Sequence, residues 1–205
     1  MPQDHYFSKD PTSAGGARSF QAALRGFDIT FLTEAGVFSR LGVDRGTRLL
    51  IQHLIVGASD RVLDLGCGWG AVGLVAARLA PEGHVTLIDI NARAVELAQR
   101  NLRTNQITNA EARQSDGFAA AADQQFDVIA LNPPIRAGLA VVYRLIEEAK
   151  RHLALGGAFF LVGRTQQGVL RLAKKMTEVF GEAEEMGKGG GYRVFVSHVP
   201  EADEA

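Results

Sequence analysis

Cysteine, proline and excess charge are all scarce in this chain, and each scarcity excludes something. There is one cysteine, Cys67, in 205 residues. No internal disulfide can form, and a cytoplasmic setting is expected. The five histidines, at 5, 53, 84, 152 and 198, show no metal-binding spacing, so no metal is expected. No apolar run reaches the length of a membrane span, so no membrane partner is expected. Met1-Pro2-Gln3-Asp4-His5 lacks the basic start and apolar stretch of a signal peptide. Lys and Arg number 22 and Asp and Glu 23, a formal net charge of -1. A global basic field for nucleic acid is absent, and any RNA contact must rest on a local patch.

Only six prolines occur, yet two are adjacent, in Asn132-Pro133-Pro134-Ile135. The turn follows Phe126-Asp127-Val128-Ile129-Ala130-Leu131, an apolar run that reads as a buried strand. Neither proline has an N–H to donate, so the ladder stops there. Each also biases the residue before it toward extended backbone. The Asn132 amide and the carbonyls of a stiff turn are thereby left beyond the sheet edge, a fixed pair of acceptors suited to gripping an amino group. Taken alone, the tetrapeptide also fits an ordinary strand-ending turn.

From about residue 58 the chain alternates strand and helix. Strands are expected at 61–65, 84–90, 110–114, 126–131 and 158–162. Helices are expected near 70–80, from Asn91 to Leu102, and from Leu139 to Leu153 closed by Gly156-Gly157. Another carries Val169, Leu172, Ala173, Met176 and Val179 on one face. Residues 183–186 and 192–199 should pair as a hairpin across Gly187–Gly191. The fold class is therefore α/β, a doubly wound, mostly parallel seven-stranded sheet with a final antiparallel strand. Residues 1–57 form an N-terminal extension with a strand around Phe27, Ile29 and Phe31 and a helix around Leu50 and Leu54. Residues 58–199 form the core, and 200–205 an acidic tail.

Ligands of such sheets bind beyond the carboxyl ends of the strands. There the first core strand runs into Asp64-Leu65-Gly66-Cys67-Gly68-Trp69-Gly70. This is not the dinucleotide spacing G-x-G-x-x-G. Asp64 would oppose a pyrophosphate but suits a cofactor with positive charge. Asp89, at the end of the second strand, can take both hydroxyls of a ribose, and Asp116 follows the third strand. An adenosyl group with a cationic appendage, S-adenosylmethionine, fits this pocket.

Val62 to Gly70 resembles motif I of the class I S-adenosylmethionine-dependent methyltransferases. Asn132-Pro133-Pro134-Ile135 resembles the N-P-P-aromatic motif of members that methylate planar amino nitrogens. His5-Tyr6-Phe7-Ser8, Phe31-Leu32-Thr33, Gly36-Val37-Phe38-Ser39, Asp89-Ile90-Asn91 and Gly191-Tyr192-Arg193-Val194 are similar to the ribosomal small-subunit methyltransferase C group and its single-domain relatives. The resemblance spans roughly residues 5 to 198.

It implies a Rossmann-like fold and the following roles. Asp64, Gly66, Gly68 and Gly70 line the methionine and ribose parts of the cofactor, with Cys67 as a small filler. Asp89 binds the ribose, Ile90 and Asn91 lie beside the adenine, and Asp116 with Gly117 meets its edge. Thr33 and Phe38 form part of a lid. Asn132, Pro133, Pro134 and Ile135 form the catalytic turn, with Asn132 also near the cofactor. Ile135 stands where relatives carry an aromatic residue, and it can press on a base but not stack through a π system. Ile135, Arg136, Lys188 and Arg193 are the candidates for substrate contact, whereas Arg164 and Lys174 read as surface charges.

The implied reaction is methylation of an exocyclic amine in RNA, with guanine 2-amino in ribosomal RNA as the target. Partners would be ribosomal RNA or a ribosomal subunit, with a homodimer as one way to widen the grip of a small chain. Methylation of a protein glutamine amide is the alternative, since release-factor methyltransferases use a similar turn. A non-catalytic cofactor-binding module is a third reading.

Overall fold

The computed structural model describes Gly16 and residues 18–201. His5-Tyr6-Phe7-Ser8 and most of the acidic tail lie outside the described residues. The elements are β1 (Arg18–Leu24), β2 (Phe27–Thr33), α1 (Arg45–His53), β3 (Arg61–Leu65), α2 (Ala71–Leu79), β4 (His84–Asp89), α3 (Ala92–Thr104), β5 (Ala110–Gln114), β6 (Phe126–Leu131), α4 (Leu139–His152), β7 (Leu153–Arg164), α5 (Val169–Phe180), β8 (Glu184–Gly189) and β9 (Tyr192–His198). Seven strands form one sheet in the order β5-β4-β3-β6-β7-β9-β8. β3 to β7 are parallel to one another, and β9 runs antiparallel to both β7 and β8.

The near-continuous apolar character of the strands follows from burial on both faces. Val62, Val85, Leu87, Val128 and Phe160 face one core cluster, shared with α1, α2 and α3. Their neighbours Leu63, Ile88, Ile129 and Phe159 face a second cluster, shared with α4 and α5. Among the described residues no helix is long and apolar enough to cross a membrane.

The chain steps outward from β3 through β4 to β5, then returns to lay β6 against the other side of β3. That reversal opens a crevice at the carboxyl ends of β3 and β6. Leu65 and Leu131, the last residues of these strands, are register partners. The glycine turn and the Asn-Pro-Pro turn therefore leave adjacent strands at the same level.

Two features differ from the sequence reading. α4 ends at His152, and Leu153 is extended and pairs with Phe126 as the start of β7. Gly156-Gly157 therefore do not close the helix. They lie in an irregular stretch of β7, where Gly156 has φ +74 and a Cβ on Gly157 would meet the Ala154 carbonyl oxygen at 2.8 Å.

The second is β1, where the sequence pattern predicts no element. Phe20, Ala22 and Leu24 alternate with exposed Ser19, Gln21 and Ala23, and Arg25-Gly26, both at positive φ, turn the chain into β2. The hairpin is separate from the main sheet and docks through side chains. Asn101 of α3 accepts from the Leu32 N–H at 2.7 Å and donates to the Leu32 carbonyl at 3.1 Å. Asn105, one turn on, treats Thr30 the same way at 3.0 and 2.7 Å. Two asparagines four residues apart thus act as a surrogate strand along one edge of β2. On the other flank the Arg25 guanidinium caps α1 by donating to the carbonyls of Ile51 and Leu54 at 3.1 and 2.9 Å.

Candidate active site

One cavity of about 780 Å³ occupies the crevice, and its wall contains both the glycine turn and the Asn-Pro-Pro turn. The volume lies within the usual range for small-molecule sites. Asp64, Gly66, Cys67, Gly68, Asp89, Ile90, Asp116 and Gly117 line one part, and Asn132, Pro133, Pro134, Ile135 and Arg136 another. Phe38 lines the cavity as well and is 38% exposed.

The glycine turn is held against β4. The N–H groups of Gly66 and Cys67 donate to the Ile88 carbonyl at 2.8 and 2.9 Å, and that of Gly68 donates to Asp89 Oδ2 at 2.8 Å. Gly66 and Gly68 have φ of +72 and +56, and a Cβ on either would meet no atom within 4 Å. These two positions thus need glycine for backbone conformation, and the space beside them is open for a ligand to approach.

The acids define the electrostatics. Asp64 is 3% exposed, and its Oδ2 accepts from the Gly73 N–H at 2.8 Å. Burial pushes its carboxyl up to about 7, the Gly73 N–H opposes that rise, and nearby Asp89 adds to it. Burial also raises Asp89, against the N–H groups of Asn91, Gly68 and Ile90. A buried and a half-buried carboxyl at one wall favour a ligand bringing positive charge. The Cys67 thiol is pushed well above its ordinary value by burial and then by these acids, so it is a packed filler and not a thiolate nucleophile. Among the described residues no cluster of three or more potential metal ligands occurs.

The acceptor turn is more constrained than two prolines alone require. Pro134 has φ -76 and ψ 75, and the Ile135 N–H donates to the Pro133 carbonyl at 2.9 Å, an inverse γ-turn. That carbonyl keeps one lone pair for a further donor. The Asn132 side chain donates through Nδ2 to Thr47 Oγ1 at 3.0 Å, and Thr47 Oγ1 donates to Asp44 Oδ2 at 2.5 Å.

Five candidates from the sequence do not line the cavity. Gly70 is a packing position, where a Cβ would meet Leu74 at 2.8 Å and Leu87 at 3.1 Å. Asn91 is fully buried as the N-cap of α3, accepting from the N–H groups of Arg93 and Ala94 and donating to the Gly36 carbonyl at 3.0 Å. Thr33 is fully buried and donates to the Arg40 carbonyl at 2.9 Å, which shapes the loop carrying Phe38. Lys188 is exposed on β8 outside the wall, and its register partner Arg193 forms an ion pair with Glu185. The cavity's positive groups are instead Arg136, Arg144 and Arg164. Arg144 pairs with Asp116 at 2.8 Å.

Arg164 is a correction, because it belongs to the site and is not a detached surface charge. Its guanidinium lies over the Tyr192 ring, 5.1 Å from the centroid, and its Nε donates to Tyr192 Oη at 2.8 Å. Tyr192 in turn packs on α1, where a Cβ on Gly46 would meet its ring at 2.6 Å. Asp44, Thr47, Arg144 and Tyr192 also line the site and were missed. A signal for Asp44 and Thr47 was present: Asp44-Arg45-Gly46-Thr47 reads as an N-cap opening the helix of Leu50 and Leu54.

The methyltransferase small domain model matches residues 28–196. An uncharacterized protein of Bacillus subtilis (strain 168), YbxB, is 37% identical over 193 residues, covering 93% of this chain and 96% of that protein. Ribosomal RNA small subunit methyltransferase C of Haemophilus influenzae (strain 86-028NP) is 34% identical over 172 residues, 82% of this chain but 51% of the relative. The chain thus spans about half the length of that enzyme. The solved structure of the T. thermophilus 16S rRNA N2 methyltransferase RsmC in complex with AdoMet and guanosine superposes with a TM-score of 0.81 at 31% identity. That match covers 92% of this chain and 52% of the other. With a cavity whose acid-lined end suits a cation and whose other end presents fixed acceptors, and with relatives of this closeness, the chain belongs to the methyltransferase small domain family.

Proposed function

We propose that this protein transfers a methyl group from S-adenosylmethionine to the exocyclic amine of a nucleobase in RNA, with guanine 2-amino in ribosomal RNA as the target. The observation that carries the reading is the register of Leu65 with Leu131, which sends the glycine turn and the Asn-Pro-Pro turn into one chamber. The similarity to small-subunit methyltransferase C supports the RNA target.

When bound, the cofactor supplies an activated methyl on a sulfonium. The protein's own residues supply position and charge. Asp64 and Asp89 favour the cationic end, and Gly66 and Gly68 leave room for its approach. The Asn132 Oδ1 and the free lone pair of the Pro133 carbonyl accept the two hydrogens of the target amine. Its lone pair, otherwise conjugated with the ring, is then turned toward the methyl. As positive charge grows on nitrogen, the two dipoles stabilise it, and removing one such contact costs about 3 kcal/mol in the barrier. After attack the proton passes to solvent water, so no strong base is required.

Ile135 and Tyr192 provide apolar and aromatic surface for the base, and exposed Arg136 and Arg164 provide charge for the RNA backbone. Two exposed arginines in the wall favour a polyanionic substrate over a protein glutamine. Incubation with labelled S-adenosylmethionine, followed by separation of RNA, ribosomal subunits and release factors, tests the reading. Label is expected in ribosomal RNA, and label confined to release factor would overturn it.

A further inference from the structure

Thr47 is 7% exposed and sits between two polar groups of different character. One is Asn132 Nδ2, a donor only, at 3.0 Å. The other is the Asp44 carboxylate, whose Oδ2 lies 2.5 Å from Thr47 Oγ1. The second carboxylate oxygen already accepts from the N–H groups of Gly46 and Thr47 at 2.9 and 3.1 Å, as the N-cap of α1. A threonine hydroxyl has one proton and two lone pairs. A carboxylate accepts only, so the proton goes to Asp44 and a lone pair faces Asn132. Only the NH2 end of the Asn132 amide can satisfy that lone pair. Were the amide flipped, two oxygens would face each other with no proton between them.

We infer that Asp44 and Thr47 are positioning residues that fix which end of the Asn132 amide faces the bound amine. An amide is nearly symmetric in shape, so a tight turn fixes its place but not its polarity. With NH2 toward the chamber, Asn132 would oppose the amine's hydrogens with its own. The Asp44–Thr47 chain removes that state. The inference rests on the proposed role of Asn132 as an acceptor for the target amine.

The test is a set of variants read by turnover, by calorimetric affinity for S-adenosylmethionine and by melting temperature. Thr47→Val keeps the shape and removes the hydroxyl. It should lower kcat by about two- to fivefold, the share of turnovers lost to the reversed amide, with cofactor affinity within about twofold of the parent. Thr47→Ser should restore most of the lost turnover. Asp44→Asn keeps an N-cap acceptor but can donate to Thr47, which frees the Thr47 proton to face Asn132, so that either end of the amide can lie against the hydroxyl. It should lose turnover as Thr47→Val does while melting within a few degrees of the parent.

In the Asn132→Ala background, Thr47→Val should cost almost nothing further in single-turnover rate, because the group it positions is gone. Parent-like kcat in Thr47→Val, with Asn132→Ala inactive, would overturn the positioning role and leave the proposed function standing. An equal loss from Thr47→Val with and without Asn132 would also overturn it, marking Thr47 as structural. Full turnover in Asn132→Ala would overturn the acceptor reading itself, and the inference with it.

Discussion

The Trp69 indole N–H donates to the Phe38 carbonyl at 2.8 Å. This bond ties the loop after β2 to the glycine turn after β3, so the sides of the chamber mouth are fastened together. The ring itself is buried against the hairpin, edge-on to Phe31 with centroids 4.8 Å apart. Replacing Trp69 by Phe keeps most of that contact and deletes the bond, a loss of about 1 kcal/mol. Affinity for S-adenosylmethionine should fall about fivefold. Calorimetric titration of the parent and the variant checks this.

Asp64 links the site to pH. In the fold its carboxyl rises to about 7 from an ordinary 3.8, chiefly through burial. Between those values the folded apoprotein holds more protons than the unfolded chain, so its stability falls as pH rises through the window. Asp89, also raised, acts with the same sign. A cationic cofactor favours the ionised carboxyl, so its affinity should strengthen as pH rises toward about 7, by up to tenfold per unit, and level off above it. Asp64→Asn should raise the apoprotein's melting temperature above pH 7, weaken cofactor binding and flatten its pH dependence. Thermal melts and titrations across that range check both halves.

On the proposed function, Tyr192 and Arg164 bear on the base and not on the cofactor. With Ile135 in the wall, the Tyr192 ring is the aromatic surface on the target side, steadied by Gly46 and by the Arg164 guanidinium. Loss of a base–aromatic contact costs about 1–3 kcal/mol. Tyr192→Ala should therefore raise the KM for RNA at least fivefold while leaving S-adenosylmethionine affinity unchanged. Steady-state kinetics varying each substrate separately will show the split.

Asn101 carries the docking of the hairpin. It is fully buried and bonds Leu32 on both its N–H and carbonyl, and also the Trp69 carbonyl at 2.8 Å. Asn101→Ala leaves those backbone groups without partners, at about 1–3 kcal/mol. Chemical denaturation should show a loss of that size, and hydrogen exchange should show faster opening of β2.

Much of this was legible in the sequence because burial writes a simple pattern. Strands covered on both faces must be apolar throughout, so Arg61–Leu65 and Phe126–Leu131 stood out, and their endings in Gly66 and Asn132 marked the site. What escaped depends on contacts between distant segments. Thr47 meets Asn132 across 85 positions, and nothing local to either announces the pair. Tyr192 opens the last strand, and only the fold brings its ring onto α1 and under Arg164. Asn91 and Gly70 show the converse. Their place in a familiar motif suggested cofactor contact, yet neither lines the cavity: Asn91 is a helix N-cap and Gly70 closely approaches Leu74 and Leu87.

A crystal structure of the protein with S-adenosylhomocysteine and guanosine tests the shared chamber most directly. The homocysteine sulfur should lie beside Asp64 and the glycine turn, with the guanine 2-amino group hydrogen-bonded to Asn132 Oδ1 and the Pro133 carbonyl. A guanosine bound with its 2-amino group away from Asn132, or a nucleoside product seated outside the crevice between β3 and β6, would contradict methyl transfer to that amine.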